Sequence, residues 1–432
     1  MPGTNDVPQR SQLLRQLKRA NQLAGPWVAA QIAIIVVIGW CIDWGQVVAS
    51  PLISAIAVTV IVGPQMMSIL RQYALQKKEI GDLKEQTRYG EFDKHRLRQL
   101  VDNTLVRLGL PLPGPPVYIT ADKSLNAGAL HLGMGGFFRA LNGVYLNRQV
   151  LHRLNPEELQ DIVGHELGHF YRYYLLNQRF QGVTMVVGAF AGVLVAQWLG
   201  MSDALSMLAL SISGSACWYV TGWLHARNIQ AIEFLCDDFG AQVHGVVVSI
   251  NGLLKIGADS ELQIAIHQQE LLNRKYSNLS AHDIVEAIES ATPYGHTSRA
   301  ELEQAVNDSL KQRSRDRQKL SLGAFLKFAW QGDGDDEVQQ EMRKVQALRS
   351  LPRIDWEALL ARDGRVALDE AKIEELVAML EANPNHLLFH LPEEIGLGGG
   401  THPALRQRIL YLWNNREQLP NSRTTVRPAF AP

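Results

Sequence analysis

The chain is poor in cysteine and in net charge. Only three cysteines occur in 432 residues, and the basic and acidic side chains almost balance, which leaves a formal net charge of -1. So few thiols exclude a disulfide framework of the kind found in small secreted proteins. The balanced charge argues against a nucleic-acid-binding protein and against an acidic interaction tail. The length is sufficient for two or more domains.

Four apolar stretches contain no charged residue at all. They cover residues 26–42, 52–70, 181–201 and 204–224, each close to the roughly 17 to 25 residues that a membrane-spanning helix needs. We therefore expect about four transmembrane helices, arranged as two hairpins. A cleaved signal peptide is the alternative for the first stretch, although a second apolar run soon follows it. For the last two, the alternatives are core helices of a globular domain, a single span or a re-entrant pair.

Basic residues flank these stretches on one side. They are Arg10, Arg15, Lys18 and Arg19 before the first stretch, Arg71, Lys77 and Lys78 after the second, and Arg172, Arg179 and Arg227 around the later pair. Because Lys and Arg accumulate in cytoplasmic loops, all these flanks are expected to face the cytoplasm. The pattern predicts a multi-pass protein of the inner cell membrane.

Residues 165–169 read HELGH, the most specific motif in the chain. On a helix, His165 and His169 lie on one face and can bind a single metal ion, with Glu166 placed to accept a proton. The start of the helix is well marked, because Asn155 can cap it, Pro156 suits its first position and Glu158 can complete a capping box. The alternative is that these are two ordinary histidines on a partly buried helix.

A catalytic zinc site uses three protein ligands, so a third one is needed. Glu233 is the best candidate, since it lies in a second helical stretch with Asp237 one turn further on. Asp237 could then orient a ligating imidazole by accepting its other N–H. A charged helix face is the alternative for the pair. Cys236 is a rival ligand, but a small buried thiol is the better interpretation.

These two helices resemble those of the HtpX-like membrane metallopeptidases, zinc enzymes of the gluzincin type. The resemblance implies one Zn²⁺ per chain, with His165, His169 and Glu233 as ligands, Glu166 as the base and Asp237 as the supporting acid. Residues 126–127 (NA), 154–159 (LNPEEL) and 401–409 (THPALRQRI) also look like family segments. The resemblance runs from the first apolar stretch to about residue 412, and residues 250–400 match poorly.

The C-terminal family segment adds two residues to the expected site. The resemblance places His402 near the active site, where it could hydrogen-bond the oxyanion. It also places Arg408 nearby, where it could tie its helix to the acid Asp237. The alternative is that both are ordinary surface residues.

Residues 116–120, 129–132 and 143–147 read as short strands separated by glycine-rich turns. We expect an α+β fold with a zincin-like catalytic domain, mainly helical with a small sheet, plus about four transmembrane helices. An edge strand of that sheet can pair with an extended substrate, or the sheet can simply pack behind the metal helix.

The expected organisation has seven parts. These are a cytoplasmic N-terminal tail (1–25), a transmembrane hairpin (26–72), the sheet and metal helix (73–180), a second hairpin (181–224), the helix with the third ligand (225–249), a soluble and mostly helical region of unclear role (250–400), and a C-terminal family segment and tail (401–432).

The sequence therefore predicts an integral membrane zinc endopeptidase with its active site at the cytoplasmic face. Its expected partners are polypeptide substrates, particularly membrane proteins, and the lipid bilayer, with no nucleic acid. The resemblance implies quality control of damaged or misassembled membrane proteins. One alternative is a CAAX prenyl protease, a type that carries more spans than four. The other is a noncatalytic membrane adaptor with a retained metal site, although an adaptor has no need of the base Glu166.

Overall fold

The computed structural model describes residues 7–49, 76–121, 125–131, 142–176, 180–275, 350–356, 359, 367–391 and 402–419. Its helices are α1 (Arg10–Cys41), α2 (Trp44–Ala49), α3 (Lys94–Arg107), α4 (Val150–Arg153), α5 (Pro156–Tyr171), α6 (Gln181–Trp198), α7 (Asp203–His244), α8 (Val246–Lys275), α9 (Glu370–Ala382) and α10 (Leu405–Asn414). The strands are β1 (Lys77–Glu79), β2 (Arg88–Tyr89), β3 (Phe92–Asp93), β4 (Val117–Thr120), β5 (Ala127–His131) and β6 (Asn142–Asn147). This part of the chain is mainly helical with a small sheet, as the sequence predicts.

The main sheet has four strands in the order β1-β4-β6-β5. Strands β4 and β6 are parallel, whereas the other two pairs are antiparallel. Alternate residues of the central strands, including Val117, Val144 and Leu146, are buried in a core shared with α3 and α5. Among the described strands, β5 forms one edge of this sheet, and it lies against α5.

Three long apolar helices pack side by side. Helix α1 runs parallel to α6, with Gln31 bonded to Thr184 (2.7 Å) and the Asp43 N–H bonded to Gln197 (2.9 Å). Helices α6 and α7 form a tight hairpin, in which the Ser213 hydroxyl donates to the Gly188 carbonyl (2.7 Å). Such small residues let helix backbones approach closely.

Two of the described helices, α1 and α7, are long and apolar enough to cross a membrane, and a shorter apolar helix lies between them in the sequence. The expected span at 52–70 lies outside the described residues. The count of four spans therefore stays a prediction.

The expected N-terminal tail differs from what is observed. Helix α1 begins at Arg10 and continues without a break into the first apolar stretch. It does so because Leu13 and Leu17, one turn apart, are buried in the core of the catalytic part. The Arg10 guanidinium also forms an ion pair with the buried Asp238 on α7. Residues 10–25 are thus joined to the domain that holds the candidate site.

The described part of the region 250–400 completes that core. The described parts of residues 350–391 pack with α8 and α10, and the indole of Trp356 stacks on Phe389 with 5.4 Å between ring centroids. Arg406 of α10 donates to carbonyl oxygens just after α9, among them those of Asn383 (3.1 Å) and Pro384 (2.7 Å). This region therefore supports the helix that carries Arg408.

Candidate active site

Helix α5 begins as the sequence predicts. The Asn155 side chain accepts from the N–H of Glu158 (2.8 Å), and the Glu158 carboxylate accepts from the N–H of Asn155 (3.0 Å), which confirms the capping box. Lys255 of α8 also bonds the buried Glu158 carboxylate (2.7 Å). Both contacts fix the N-terminal end of the helix that carries the HELGH motif.

Glycines bring α5 and α7 into close contact beside the motif. A Cβ added to Gly164 would lie 3.0 Å from the Cα of Gly240, and one added to Gly240 would lie 2.6 Å from the carbonyl oxygen of Asp161. Larger side chains at this crossing would push the helices apart. The crossing therefore sets how near Glu233, on α7, can come to the two histidines of α5.

The three expected ligands meet at one point. The Nε2 atoms of His165 and His169 are 3.2 Å apart. The Glu233 carboxylate lies 3.6 Å from His165 Nε2 and 3.4 Å from His169 Nε2. Among the residues that the structure describes, this is the one group of three or more potential ligands with the spacing to hold a metal ion.

Asp237 and Arg408 form a chain of contacts behind His165. His165 Nδ1 donates to Asp237 Oδ1 (2.9 Å), which leaves Nε2 facing the centre of the cluster. The Arg408 guanidinium grips both oxygens of the same carboxylate, with Nε to Oδ2 at 2.7 Å. The structure thus joins α10 to the orienting acid, as the sequence predicts for Arg408.

His402 also reaches the cluster, although not in the expected arrangement. Its Nδ1 lies 3.1 Å from Glu233 Oε2, and 62% of its side chain is exposed. One ring nitrogen is thus used to hold a ligand carboxylate. Nε2 is the atom left for a substrate, because the two ring nitrogens have separate partners.

The surroundings shift the pKa values of the two carboxyl groups Glu166 and Glu233 in opposite directions. Burial raises the pKa of Glu166 to about 7. Burial also favours the neutral form of Glu233, but the hydrogen bond from His402 and the two motif histidines outweigh it and lower the pKa of this carboxyl. Glu233 is therefore held as an anion, whereas Glu166 has the intermediate pKa that suits proton transfer near neutral pH.

The two motif histidines also differ. Burial disfavours the charged form of His165, but its hydrogen bond to Asp237 outweighs this effect and raises the pKa to about 9. For His169, burial and the neighbouring His165 lower the pKa to about 4. Because a ligating nitrogen must be unprotonated, metal binding would displace the proton of His165.

All seven residues singled out in the sequence lie in or beside this cluster. Cys236 does not compete as a ligand, because it is buried against α5, where a Cβ on Gly168 would be 3.1 Å from its Sγ. Sequence reasoning missed the three glycines at the contact between α5 and α7, which are Gly164, Gly168 and Gly240. For Gly164 and Gly168, the spacing of four on one helix face was the available signal.

Comparison with known proteins agrees with this site. Residues 91–247 match the model of peptidase family M48. Two curated proteins from strains of Bacteroides fragilis, each named "Protease HtpX homolog", are 24% identical over 192 residues, which cover 41% of this chain and 57% of each relative. The chain thus spans a little over half the length of these relatives. No solved structure matches the chain. The matched residues contain all three candidate ligands, and this part of the chain resembles peptidase family M48 and its HtpX-like members.

Proposed function

We propose that this protein is a membrane-embedded zinc endopeptidase that hydrolyses peptide bonds of polypeptide substrates. The observation that carries the proposal is the convergence of His165, His169 and Glu233 on one point beside Glu166. Two imidazoles and a carboxylate are the ligand set of one class of catalytic zinc site, which leaves a fourth position open. The family match supports the same activity.

The distances within the cluster suit zinc. Four tetrahedral ligands about 2.0–2.2 Å from a zinc ion lie roughly 3.3–3.6 Å from one another. The contacts between the three pairs of residues here measure 3.2, 3.4 and 3.6 Å, with each Glu233 oxygen facing a different histidine. Asp237 supports this use, because its bond to Nδ1 fixes the tautomer of His165 in which Nε2 carries the lone pair.

The residues around the cluster can perform peptide hydrolysis. Zinc at this position would polarise the scissile carbonyl and make an attacking water more acidic. Glu166 takes a proton from the water and returns it to the leaving amine, for which a pKa of about 7 is well suited. His402 donates from Nδ1 to Glu233, a hydrogen bond that raises the pKa of His402, and in the imidazolium form its Nε2 can also donate to the oxyanion that forms on the substrate.

Substrate is proposed to bind along β5. This strand is at the edge of the sheet and lies next to α5, so its outer backbone groups can pair with an extended peptide. Gly128 in the middle of β5 leaves space, since a Cβ built there meets nothing within 4 Å. Recognition through the main chain would tolerate many substrate sequences.

The membrane part of the proposal rests on α1 and α7. Large apolar side chains are exposed along both helices, among them Val36 and Val37 on α1 and Leu208 and Ile212 on α7. A soluble protein rarely leaves so much contiguous apolar surface in water. With the basic flanks on the cytoplasmic side, the zinc cluster would face the cytoplasm of the inner cell membrane. Quality control of damaged membrane proteins is the proposed role.

A CAAX prenyl protease is the second enzymatic candidate, because it would use the same zinc motifs. The noncatalytic adaptor is disfavoured by Glu166, whose carboxylate is buried beside the ligands with a raised pKa. A structural metal site has no need of such a base.

The test is to incubate the purified chain with an unfolded membrane protein and, separately, with a prenylated peptide. Each reaction is run with added zinc, after a chelator, and after the chelator followed by zinc. Cleavage of the membrane protein that is lost with the chelator and restored by zinc is expected. Cleavage of the prenylated peptide alone would favour the processing enzyme, and cleavage of neither would contradict the proposed activity.

A further inference from the structure

Two rows of side chains change from basic to aromatic along the membrane helices. On α1, Arg19, Leu23 and Trp27 are spaced four apart, and on α7 the row Arg227, Trp223 and Tyr219 has the same spacing in the opposite direction. Side chains four apart share a helix face. All six are exposed, with Trp223 at 76% and Tyr219 at 75%.

Contacts between the helices place the basic ends of both rows at one level. The Gln16 amide of α1 donates to the Asn228 side chain of α7 (3.0 Å) and to the Arg227 carbonyl (3.3 Å). The chain after α5 joins them, because the Asn21 amide donates to the Tyr174 carbonyl (2.9 Å). Three separate segments thus meet at the end of the apolar bundle.

Near this level, the three segments carry several basic side chains. We call five of these exposed basic residues the basic collar: Arg15, Lys18, Arg19, Arg172 and Arg227. None of the five forms an ion pair with another described residue. No Asp or Glu occurs in residues 11–42, 167–202 or 204–232. The positive charge of the collar is therefore not neutralised within the described structure.

We propose that the basic collar binds the phosphate groups of anionic phospholipids, a proposal that rests on the membrane placement above. Trp and Tyr prefer the boundary between head groups and hydrocarbon, and they follow the basic residues in both rows. Exposed apolar side chains such as Ile212 come next. The sequence of charge, aromatic ring and apolar group matches the layers of a bilayer. An acidic protein or nucleic acid would not account for the exposed rings.

The collar also fixes the height of the active site. Glu233 follows Arg227 by six residues on the same helix, which is about 9 Å along the axis at 1.5 Å per residue. The zinc cluster would then lie within about 10 Å of the lipid phosphates. Peptide bonds a few residues from the end of a substrate's own membrane span are thus within reach.

The test measures lipid binding to the full chain in nonionic detergent. Dioleoyl-phosphatidylglycerol and dioleoyl-phosphatidylcholine are titrated separately, and bound lipid is counted by native mass spectrometry. The wild type is expected to bind the anionic lipid more tightly. Each basic group at a membrane surface contributes roughly five-fold, so Arg19→Gln with Arg227→Gln should weaken phosphatidylglycerol binding by about 25-fold. Phosphatidylcholine binding should not change.

A matched control removes two exposed positive charges elsewhere, Lys84→Gln with Arg98→Gln, and should leave both affinities unchanged. A second collar pair, Arg15→Gln with Lys18→Gln, should repeat the loss and guards against misfolding of one variant. Equal affinity of the wild type for both lipids, or equal losses in collar and control variants, would overturn the lipid proposal. Loss of proteolysis is scored separately on the same samples, so failure of the proposed enzymatic function is distinguishable.

Discussion

The Asp237–Arg408 pair offers the sharpest test of how the site is held together. Asp237 is buried and donates nothing itself, yet it accepts from His165 and from both ends of the Arg408 guanidinium. Burial alone would raise the pKa of Asp237, but Arg408 and His165 outweigh it and lower the pKa. The carboxylate is thus kept ionised and in place, so that His165 Nε2 faces His169 and Glu233, the other two candidate ligands.

Removing either partner should weaken zinc binding through the same imidazole. Loss of a group that orients a ligand typically costs 10- to 100-fold in metal affinity, so Asp237→Asn and Arg408→Gln should each raise the zinc Kd by about that factor. If the two acted independently, their losses would multiply to roughly 100- to 10,000-fold. Because Asp237 and Arg408 both act on His165, the zinc Kd of the double variant should not exceed the higher of the two single-variant Kd values.

The assay is zinc competition against a chromogenic chelator, run on all four proteins of the cycle. Arg416→Gln serves as the matched control, because this arginine lies on the same C-terminal segment and its side chain bonds and stacks only on Trp413 among the described residues. It should keep the wild-type Kd. Multiplicative losses in the double variant would refute the idea that Arg408 acts through Asp237.

Two further predictions concern stability. Burial raises the pKa of the Asp161 carboxyl from 3.8 to about 7, although the hydrogen bond from Ser249 offsets part of this effect. Between pH 3.8 and about 7, the folded state therefore binds more protons than the unfolded state, and the free energy of unfolding falls as the pH rises through this window. Asp161→Asn should therefore stabilise the protein at pH 8, by on the order of 4 kcal/mol, and raise its thermal midpoint there, but should change the midpoint little at pH 4. The midpoints are measured in the presence of a chelator, so that metal binding does not contribute. Equal shifts of the midpoint at both pH values would contradict this prediction. Gly257→Ala should lower the free energy of unfolding by about 1–3 kcal/mol through overpacking, because its Cβ would lie 2.3 Å from Phe389 Cε2. Gly252→Ala is the control, because a Cβ there meets nothing within 4 Å, and it should not lower the thermal midpoint.

Local patterns predicted the metal helix well. The cap at Asn155, the capping box with Glu158 and the i, i+4 histidines all depend on residues within one or two turns, so the sequence contains the whole signal. Among the described strands, β4, β5 and β6 were also predicted, because they are short strand-like runs between glycine-rich turns, whereas the shorter β1, β2 and β3 were not. Which strand forms the sheet edge beside α5 depends on pairing between distant segments, and only the structure shows that it is β5.

Contacts between distant segments could not be read in the same way. Residues 1–25 were predicted to be a tail. In the structure, Leu13 and Leu17 pack in the core that also contains residues of α7, α8 and α10, and Arg10 pairs with Asp238. The position of His402 on Glu233, far along the chain, likewise arises from the docking of α10. That docking depends on packing of α10 against α8 and α9, which are distant in sequence, and no local sequence pattern marks which helices pack together.

The most direct test of the central claim is the zinc content and proteolytic activity of Glu166→Gln, measured on one sample. The substitution removes the proposed base but none of the three ligands His165, His169 and Glu233. The variant is expected to hold one zinc per chain, as the wild type does, and to lose nearly all cleavage of an unfolded membrane protein. Appreciable turnover, or loss of zinc along with activity, would contradict the role given to Glu166.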